Sequence, residues 1–333
     1  MFGALFNFDG RPLALPSVAL DLPKTTEFRV LGASRQAALL HVPSGEVGYP
    51  DEQCGLSSLE ERYWIVGQIR LDRREELKLK LPAHVQHGSS TVSDARLCLH
   101  AYAKWGEQCV DHLAGDFSFV LWDEKDQRLF GARDQMGVRP LFFARGAASG
   151  FIGDSLDWVA GRETFGDVLD DYWIADFLTI GFCREFDRTV YRDVKRLPPA
   201  HVLRWSHGGA ELRRYWRLEV SEPLYLPRRG DYTERFRELV GRAIADRMPK
   251  GRVGIAMSGG IDSTAMAACT VALTGDPGRV VAYCEHYEEL MHIEEDKFAS
   301  LAARHLGIEL QIQRFDDAVY DPHWMSRATI SFD

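Results

Sequence analysis

The residues with the clearest chemistry form one short string, Arg252-Val253-Gly254-Ile255-Ala256-Met257-Ser258-Gly259-Gly260-Ile261-Asp262-Ser263-Thr264. The apolar run from Val253 to Met257 reads as a buried parallel strand. It stops at Ser258-Gly259-Gly260 and passes into Asp262-Ser263-Thr264-Ala265-Met266-Ala267-Ala268, a good helix opening. Two glycines let the backbone approach a ligand, and a new helix aims unpaired N–H groups and positive dipole at the same point. Ser258, Ser263 and Thr264 add hydroxyl donors. Together these groups make a phosphate cradle. Asp262 within it would repel a phosphate unless a cation bridged them, so the acid argues for Mg²⁺. The lysine of the common nucleotide loop is missing, since no Gly-x-x-x-x-Gly-Lys-Ser/Thr occurs. The plainer alternative is an ordinary strand-to-helix turn with Asp262 as a helix-terminal acid.

The elements that must position this string are legible around it. A helical pattern from Tyr232 to about Arg247 carries Phe236, Leu239, Val240 and Ile244 at helical spacing. After the cradle come a second strand, Val280 to Cys284, a helix, Asp296 to Leu306, and a third run, Glu309 to Phe315. That βαβαβ order implies a parallel, Rossmann-like sheet with ligands beyond the carboxyl ends of its strands, where Ser258 falls. The first half is strand-rich, with runs at Phe2 to Phe8, Phe28 to Leu31, Ala37 to Val42 and Tyr63 to Ile69. Ser93 caps a helix through Tyr102, and Gly115 to Asp123 reads as a strand. Arg128 to Arg133 and Arg139 to Ala144 suggest a hairpin about Gln135-Met136-Gly137. A helical pattern returns at Asp171 to Phe177. The expected division is a first domain over 1–216, a linker over 217–231 and a second domain over 232–333.

Bulk properties narrow the class. At 333 residues there is room for two cores, and 45% apolar with 27% charged residues is ordinary for a globular protein. A net charge of −9 argues against a broad nucleic-acid surface. The six cysteines form no C-x-x-C pair and read as buried free thiols, not disulfides or a zinc site. No apolar stretch reaches membrane-spanning length, and the first nine residues lack a basic segment, so a cytoplasmic location is expected.

The string Ser258-Gly259-Gly260-Ile261-Asp262-Ser263 resembles the pyrophosphate loop of N-type ATP pyrophosphatases. The resemblance implies that Ser258 through Thr264 hold the pyrophosphate unit of ATP and that Asp262 holds Mg²⁺. It also implies that the strand backbone near Ala256 contacts adenosine. Tyr283 becomes an adenine-side residue by family position, with a core aromatic as the alternative. In that family a carboxylate attacks the α-phosphate, and an amine then displaces AMP from the acyl-adenylate to give an amide.

Further strings resemble the amino-terminal domain of asparagine synthase-like amidotransferases. They are Arg70 to Leu77, Ser93-Asp94-Ala95, Tyr102 to Gly106, Leu113 to Phe119, Arg133-Asp134 with Gly137 to Leu141, Leu197 to His201, and Arg214-Tyr215-Trp216. With the loop, the likeness spans nearly the whole chain. It implies an αββα four-layer sandwich of Ntn-hydrolase type, followed by an ATP pyrophosphatase domain.

The departures are as informative. Glutamine-using members begin Met-Cys-Gly and hold glutamine with an Asn-Gly-Glu string, whereas this chain has Phe2 and Val66-Gly67-Gln68. Phenylalanine carries no nucleophile, and so bulky a second residue leaves Met1 in place, which removes the free amine as well. Asp94 matches an acid that binds the glutamine amine, but as the residue after an N-cap it also has a structural reading. Glutamine hydrolysis is therefore expected to be absent. In this the chain resembles β-lactam synthetases and lasso-peptide macrolactam synthetases, and its Arg-Leu-Asp-x-Arg string is similar to what they carry in place of the glutamine-binding segment. The expected function is ATP-dependent amide formation on a carboxylate-bearing substrate, a precursor peptide first among the candidates. Alternatives are an asparagine synthase using free ammonia and a scaffold protein.

The second phosphate loop of the family, Ser-Gly-x-Gly-x-Asp, does not occur, so the sequence reads either as a fragment or split form of a longer ligase, with a second polypeptide supplying the carboxyl-terminal half as an expected partner alongside a leader protease, or as a chain that retains at most nucleotide binding. No catalytic acid–base pair can be named. The acidic, histidine-bearing segment Glu285 to Asp296 reads as a solvated loop feeding a helix start, with Asp296 approaching ATP or Mg²⁺ as the functional version. Arg133 and Asp134 read as residues that fix a turn.

Overall fold

A computed structural model describes residues 1–8, 11–13, 29–32, 36–42, 54–86, 92–162, 165–207, 209–220, 222–287, 295–314 and 316. The chain divides into two compact units that meet between residues 220 and 221. In the first unit the strands are β1 (Phe2–Asn7), β2 (Arg29–Gly32), β3 (Ala37–His41), β4 (Cys54–Leu59), β5 (Tyr63–Leu71) and β6 (Gly115–Asp123). They continue as β7 (Arg128–Arg133), β8 (Phe142–Arg145), β9 (Ser149–Gly153), β10 (Val194–Arg196), β11 (His201–Ser206) and β12 (Gly209–Arg214). Its helices are α1 (Arg74–Lys80), α2 (Ala83–Gln86), α3 (Asp94–Trp105), α4 (Leu156–Ala160) and α5 (Asp171–Ile180).

The strands form two antiparallel six-stranded sheets, in the orders β10-β8-β9-β1-β3-β2 and β12-β11-β7-β6-β5-β4. One core lies between them. Phe2, Ala4, Phe6, Leu39 and Ile152 of the first sheet meet Val66, Val120, Trp122, Leu203 and Trp205 of the second. A second core packs α3, through Ala95, Leu97 and Cys98, on Ile65, Phe117, Phe119 and Phe130. A third packs Trp158 and Val159 of α4 on Leu5, Leu40, Phe142 and Phe151. Strand β1 is thus covered on both faces, which is why its sequence is continuously apolar instead of alternating. Ser93 caps α3 as expected, its hydroxyl accepting from the Arg96 N–H at 3.3 Å.

The expected hairpin between Arg128 and Ala144 does not form. β7 has both edges occupied, by β6 and β11, so β8 is carried into the other sheet, where it pairs with β9 and β10. The connecting turn is held by Asp134, which accepts from the N–H groups of Met136, Val138 and Arg139 at 3.0 Å each. Arg133 donates to the carbonyls of Gly137, Arg139 and Leu197 at 2.7 Å each. The pair fixes the turn. Of the cysteines, Cys98, Cys109 and Cys284 are buried free thiols, but Cys183 and Cys269 are only half-buried.

The second unit contains α6 (Arg229–Arg247), β13 (Val253–Ala256), α7 (Ile261–Thr274), β14 (Val280–His286), α8 (Glu295–Leu306) and β15 (Glu309–Arg314). Helix α6 starts inside the segment 217–231 expected to be linker, and its Phe236 and Leu239 stay largely exposed. The strands form a parallel sheet in the order β13-β14-β15, registered Ala256 to Tyr283 and Tyr283 to Gln311. Ile255, Met257, Ala282 and Cys284 pack with Ala267 of α7 and Ala299 and Ala303 of α8 on one face of the sheet. No helix among the described residues is long and apolar enough to cross a membrane.

Candidate functional site

At the carboxyl end of β13 the backbone leaves the sheet after one last bond, the Met257 N–H to the Tyr283 carbonyl at 2.8 Å. Gly259 then turns with φ +78°. A side chain there would meet the Phe298 Cβ and the Ala299 N at 2.5 Å, so glycine is required by both conformation and the approach of α8. Gly260 differs. Its φ is −65°, and a Cβ would meet only the Ser258 hydroxyl, at 3.3 Å. The space above Gly260 is open to a ligand.

Gly260 caps α7 without any side-chain cap. The first intrahelical bond runs from the Thr264 N–H to the Gly260 carbonyl at 3.1 Å. The N–H groups of Ile261, Asp262 and Ser263 therefore have no helical acceptor. Ser258 and Ser263 face each other, hydroxyl to hydroxyl, at 3.4 Å, and the Gly260 N–H points at the Ser258 oxygen at 3.4 Å. The Thr264 hydroxyl is buried without a hydrogen-bond partner. Ile261 and Asp262 are exposed. The free N–H groups at the start of α7 and its helix dipole suit an anion such as a phosphate chain, which would compete for the Ser263 hydroxyl that now donates to the Gly260 carbonyl at 3.3 Å.

The neighbouring strand supplies Tyr283, whose ring edge lies 3.2 Å from where a Gly254 side chain would begin. Tyr283 is 47% exposed, so the core reading of this residue does not hold. Ala256, its register partner, is exposed too. Ser258 through Thr264 thus lie between the carboxyl end of β13 and the first turn of α7, and Tyr283 lies mid-way along β14, opposite Ala256 at the end of β13. The His286 Nδ1 stands 3.7 Å from the Asp296 carboxylate, on the first turn of the helix against which Gly259 packs. Residues 288–294 of the acidic segment lie outside the described residues. Asp262 alone presents a carboxylate within the loop, and no cluster of three metal-ligating side chains occurs among the described residues. A single exposed acid beside free N–H groups fits a Mg²⁺ held mostly by phosphate oxygens and water.

The first unit presents the opposite picture at position 2. Phe2 is 1% exposed, in the core between the sheets. Its N–H donates to Asp154 Oδ1 at 2.8 Å, and the Gln68 amide donates to Asp154 Oδ2 at 2.8 Å. The Met1 ammonium donates to the Val42 carbonyl at 3.2 Å. Burial pushes the Asp154 carboxyl above its usual range, against the opposing pull of the Met1 charge and the Phe2 and Gln68 hydrogen bonds. Gly67 survives for a packing reason, because a Cβ would lie 2.5 Å from the Ser118 carbonyl. Asp94 accepts from the Leu71 N–H at 2.9 Å and is ion-paired to Arg74. Arg70 binds Asp72 at 2.5 Å and Asp116 at 2.8 Å. Asp94, Asp154 and Gln68 are thus engaged by other groups of the chain itself. Sequence reasoning missed Asp154; the one available signal was Gln68, a polar residue inside an apolar strand.

Comparison with known proteins accounts for both halves. The glutamine amidotransferase domain family matches residues 46–216, and the asparagine synthase family matches residues 235–326. The chain belongs to the glutamine amidotransferase domain family, with an asparagine synthase region following it. Asparagine synthetase [glutamine-hydrolyzing] 3 of Bacillus subtilis is 27% identical over 279 residues, covering 83% of this chain and 44% of that protein. Amidase chry2 of Gibberella zeae is 26% identical over 302 residues, covering 86% of this chain and 43% of that protein. This amidotransferase-family chain thus spans less than half the length of these curated relatives. A solved glutamine phosphoribosylpyrophosphate amidotransferase from B. subtilis superposes with a TM-score of 0.37 at 14% identity, over 94% of this chain and 75% of that one. A likeness that slight carries no weight for the fold.

Proposed function

We propose that this chain is the nucleotide-binding part of an ATP-dependent amide-forming ligase that dispenses with glutamine hydrolysis. The first unit is then a four-layer Ntn-hydrolase-type sandwich retained as scaffold, and the second an ATP pyrophosphatase-type sheet. The observation that carries the reading is the open amino terminus of α7, with three free N–H groups, two facing serine hydroxyls and Asp262 at one point. Ser258, Gly260 and the α7 amides grip the leaving pyrophosphate and stabilise the charge that accumulates on it as the α-phosphate is attacked. Ala256 and Tyr283 border the nucleoside. Mg²⁺, when bound, neutralises phosphate charge beside Asp262. The product acyl-adenylate would pass to an amine.

Phe2 supports the absence of an ammonia source, since its ring fills the core where a nucleophile would be needed. An amine already carried by the substrate meets that requirement, and macrolactam closure on a precursor peptide is the leading form. Arg70 and Arg74 of the Arg-Leu-Asp-x-Arg string support it by occupying Asp72, Asp116 and Asp94. A further polypeptide completing the asparagine synthase region and a cytoplasmic setting belong to the same proposal. Titration calorimetry with Mg·ATP is the direct test: saturable uptake is expected, weakened at least tenfold by Ser258→Ala combined with Asp262→Ala. Absence of uptake by the folded wild type would remove the ligase reading. Pyrophosphate exchange with candidate carboxylates then identifies the substrate.

A further inference from the structure

Strand β14 runs on past the point where β13 turns away. Met257 gives the last bond of β13 to the Tyr283 carbonyl, and β14 continues through Cys284 and Glu285 to His286. His286 therefore stands at the end of the sheet where the phosphate loop opens. Side chains alternate along a strand, so His286 shares the face of Ala282 and Cys284, the one that α7 and α8 cover. Its Nδ1 is buried there without a hydrogen-bond partner among the described residues, and faces Asp296 Oδ1 at 3.7 Å. Both side chains are partly buried.

This contact joins two ends of chain. His286 is the last residue of β14 and Asp296 the second of α8, so the pair ties strand to helix across the segment between them. Phe298 and Ala299 follow Asp296 on α8, and they are the residues that Gly259 meets. A Cβ on Gly259 would lie 2.5 Å from both the Phe298 Cβ and the Ala299 N. Ala299 is fully buried in one core with Met257, the residue before Ser258. The start of α8 is thus one wall of the loop. Helix ends open at the lowest free energies in a fold, so a wall built from one needs a tie at its start.

We propose that His286 is a positioning residue of the phosphate loop: by holding Asp296 it fixes the first turn of α8 against Gly259 and so keeps the loop in its open shape. The role needs no contact between Asp296 and a metal. Its consequence for binding rests on the nucleotide reading of the loop, whereas its geometry does not. Ion pairs of this exposure are individually weak, so several-fold effects are expected and not all-or-none ones.

The test compares the full chain with His286→Gln, Asp296→Asn, the double variant and His286→Lys, at about pH 6, where an ordinary histidine is mostly protonated. Hydrogen exchange is followed on the peptide 257–264, in which the Met257 and Thr264 N–H groups are bonded to the Tyr283 and Gly260 carbonyls. Exchange should quicken about threefold or more in each single variant. The double variant should be no faster than either, because the two residues act through one contact. Lysine should restore most of the protection. Mg·ATP, titrated calorimetrically, should bind the glutamine and asparagine variants about threefold or more weakly, with the unfolding midpoint little changed. Unchanged exchange in His286→Gln, losses that simply add in the double variant, or lysine no better than glutamine would each overturn the proposal. Coupled exchange in a chain that takes up no Mg·ATP would uphold the positioning role and remove the nucleotide reading instead.

Discussion

Position 2 and the loop at position 258 both fall where the family keeps a site, the first altered in sequence and the second kept, and the structure treats them in opposite ways. At Phe2 the polar groups are consumed: Asp154 accepts from Phe2 and Gln68, and Arg74 takes Asp94. At Ser258 they are left over, with helix N–H groups uncapped and the Thr264 hydroxyl unpartnered. Unsatisfied donors cost stability unless water or a ligand meets them, whereas satisfied ones stabilise and do nothing more. The contrast teaches that a surviving motif is read by whether its donors are spent. Substitutions should therefore reduce stability at the first site and binding at the second.

The largest expected effect is at Phe2. Phe2→Ala removes a fully buried ring from the core between the sheets and should destabilise the first unit by about 3–5 kcal/mol, measured by denaturant unfolding. Phe2→Cys should be destabilising as well and should release no glutamate from glutamine, because Val66 and Gln68 still replace the holding groups. Glutamate release would show that the site is less filled than its contacts indicate.

Gly259 and Gly260 sharpen the comparison within a single loop. Gly259→Ala forces a side chain into α8 at a positive φ and should cost about 1–3 kcal/mol or more. Gly260→Ala should leave the unfolding midpoint nearly unchanged while weakening Mg·ATP. A reversal, with Gly260 the destabilising one, would mean that the open space above it is not reserved for a ligand.

How much of this was legible beforehand depended on locality. The loop, the parallel order and the N-cap at Ser93 follow from neighbours along the chain, and all three appear as expected. The hairpin at 128–144 failed because strand partners are chosen non-locally. Turn residues between two apolar runs say nothing about whether β7 has an edge to spare, and it has none. Asp154 was invisible for the same reason, bonding to Phe2 across 152 residues of sequence. The helical spacing of Phe236 and Leu239 gave the right helix, and both side chains are exposed on it.

Asp154 gives a smaller effect with a definite sign. Its carboxyl is raised in the folded state, so the native chain binds the proton more tightly than the unfolded chain does. Stability should then fall as pH rises from the unfolded carboxylate value, about 4, through the higher folded value. Asp154→Asn, with Gln68 turning its amide to suit, removes the titration. Plots of melting temperature against pH for wild type and variant should diverge above about pH 4, the variant gaining relative to wild type. Parallel curves would mean that Asp154 stays charged and is fully compensated by Met1 and its two donors.

The smallest stability effect is expected at Asp262, and there it is the null result that counts. The side chain is exposed on the first turn of α7, where an acid contributes roughly 0.3–1 kcal/mol through the helix dipole. Asp262→Ala should thus barely move the unfolding midpoint. Its nucleotide affinity should nonetheless fall at least tenfold in the presence of Mg²⁺, about 1.4 kcal/mol, and change little in its absence. An equal loss with and without the metal would assign Asp262 to the helix terminus and leave the bound phosphate to the backbone alone. The loop would then remain an anion site without a carboxylate partner for a metal, and Asp296, on the first turn of α8, already faces His286 at 3.7 Å.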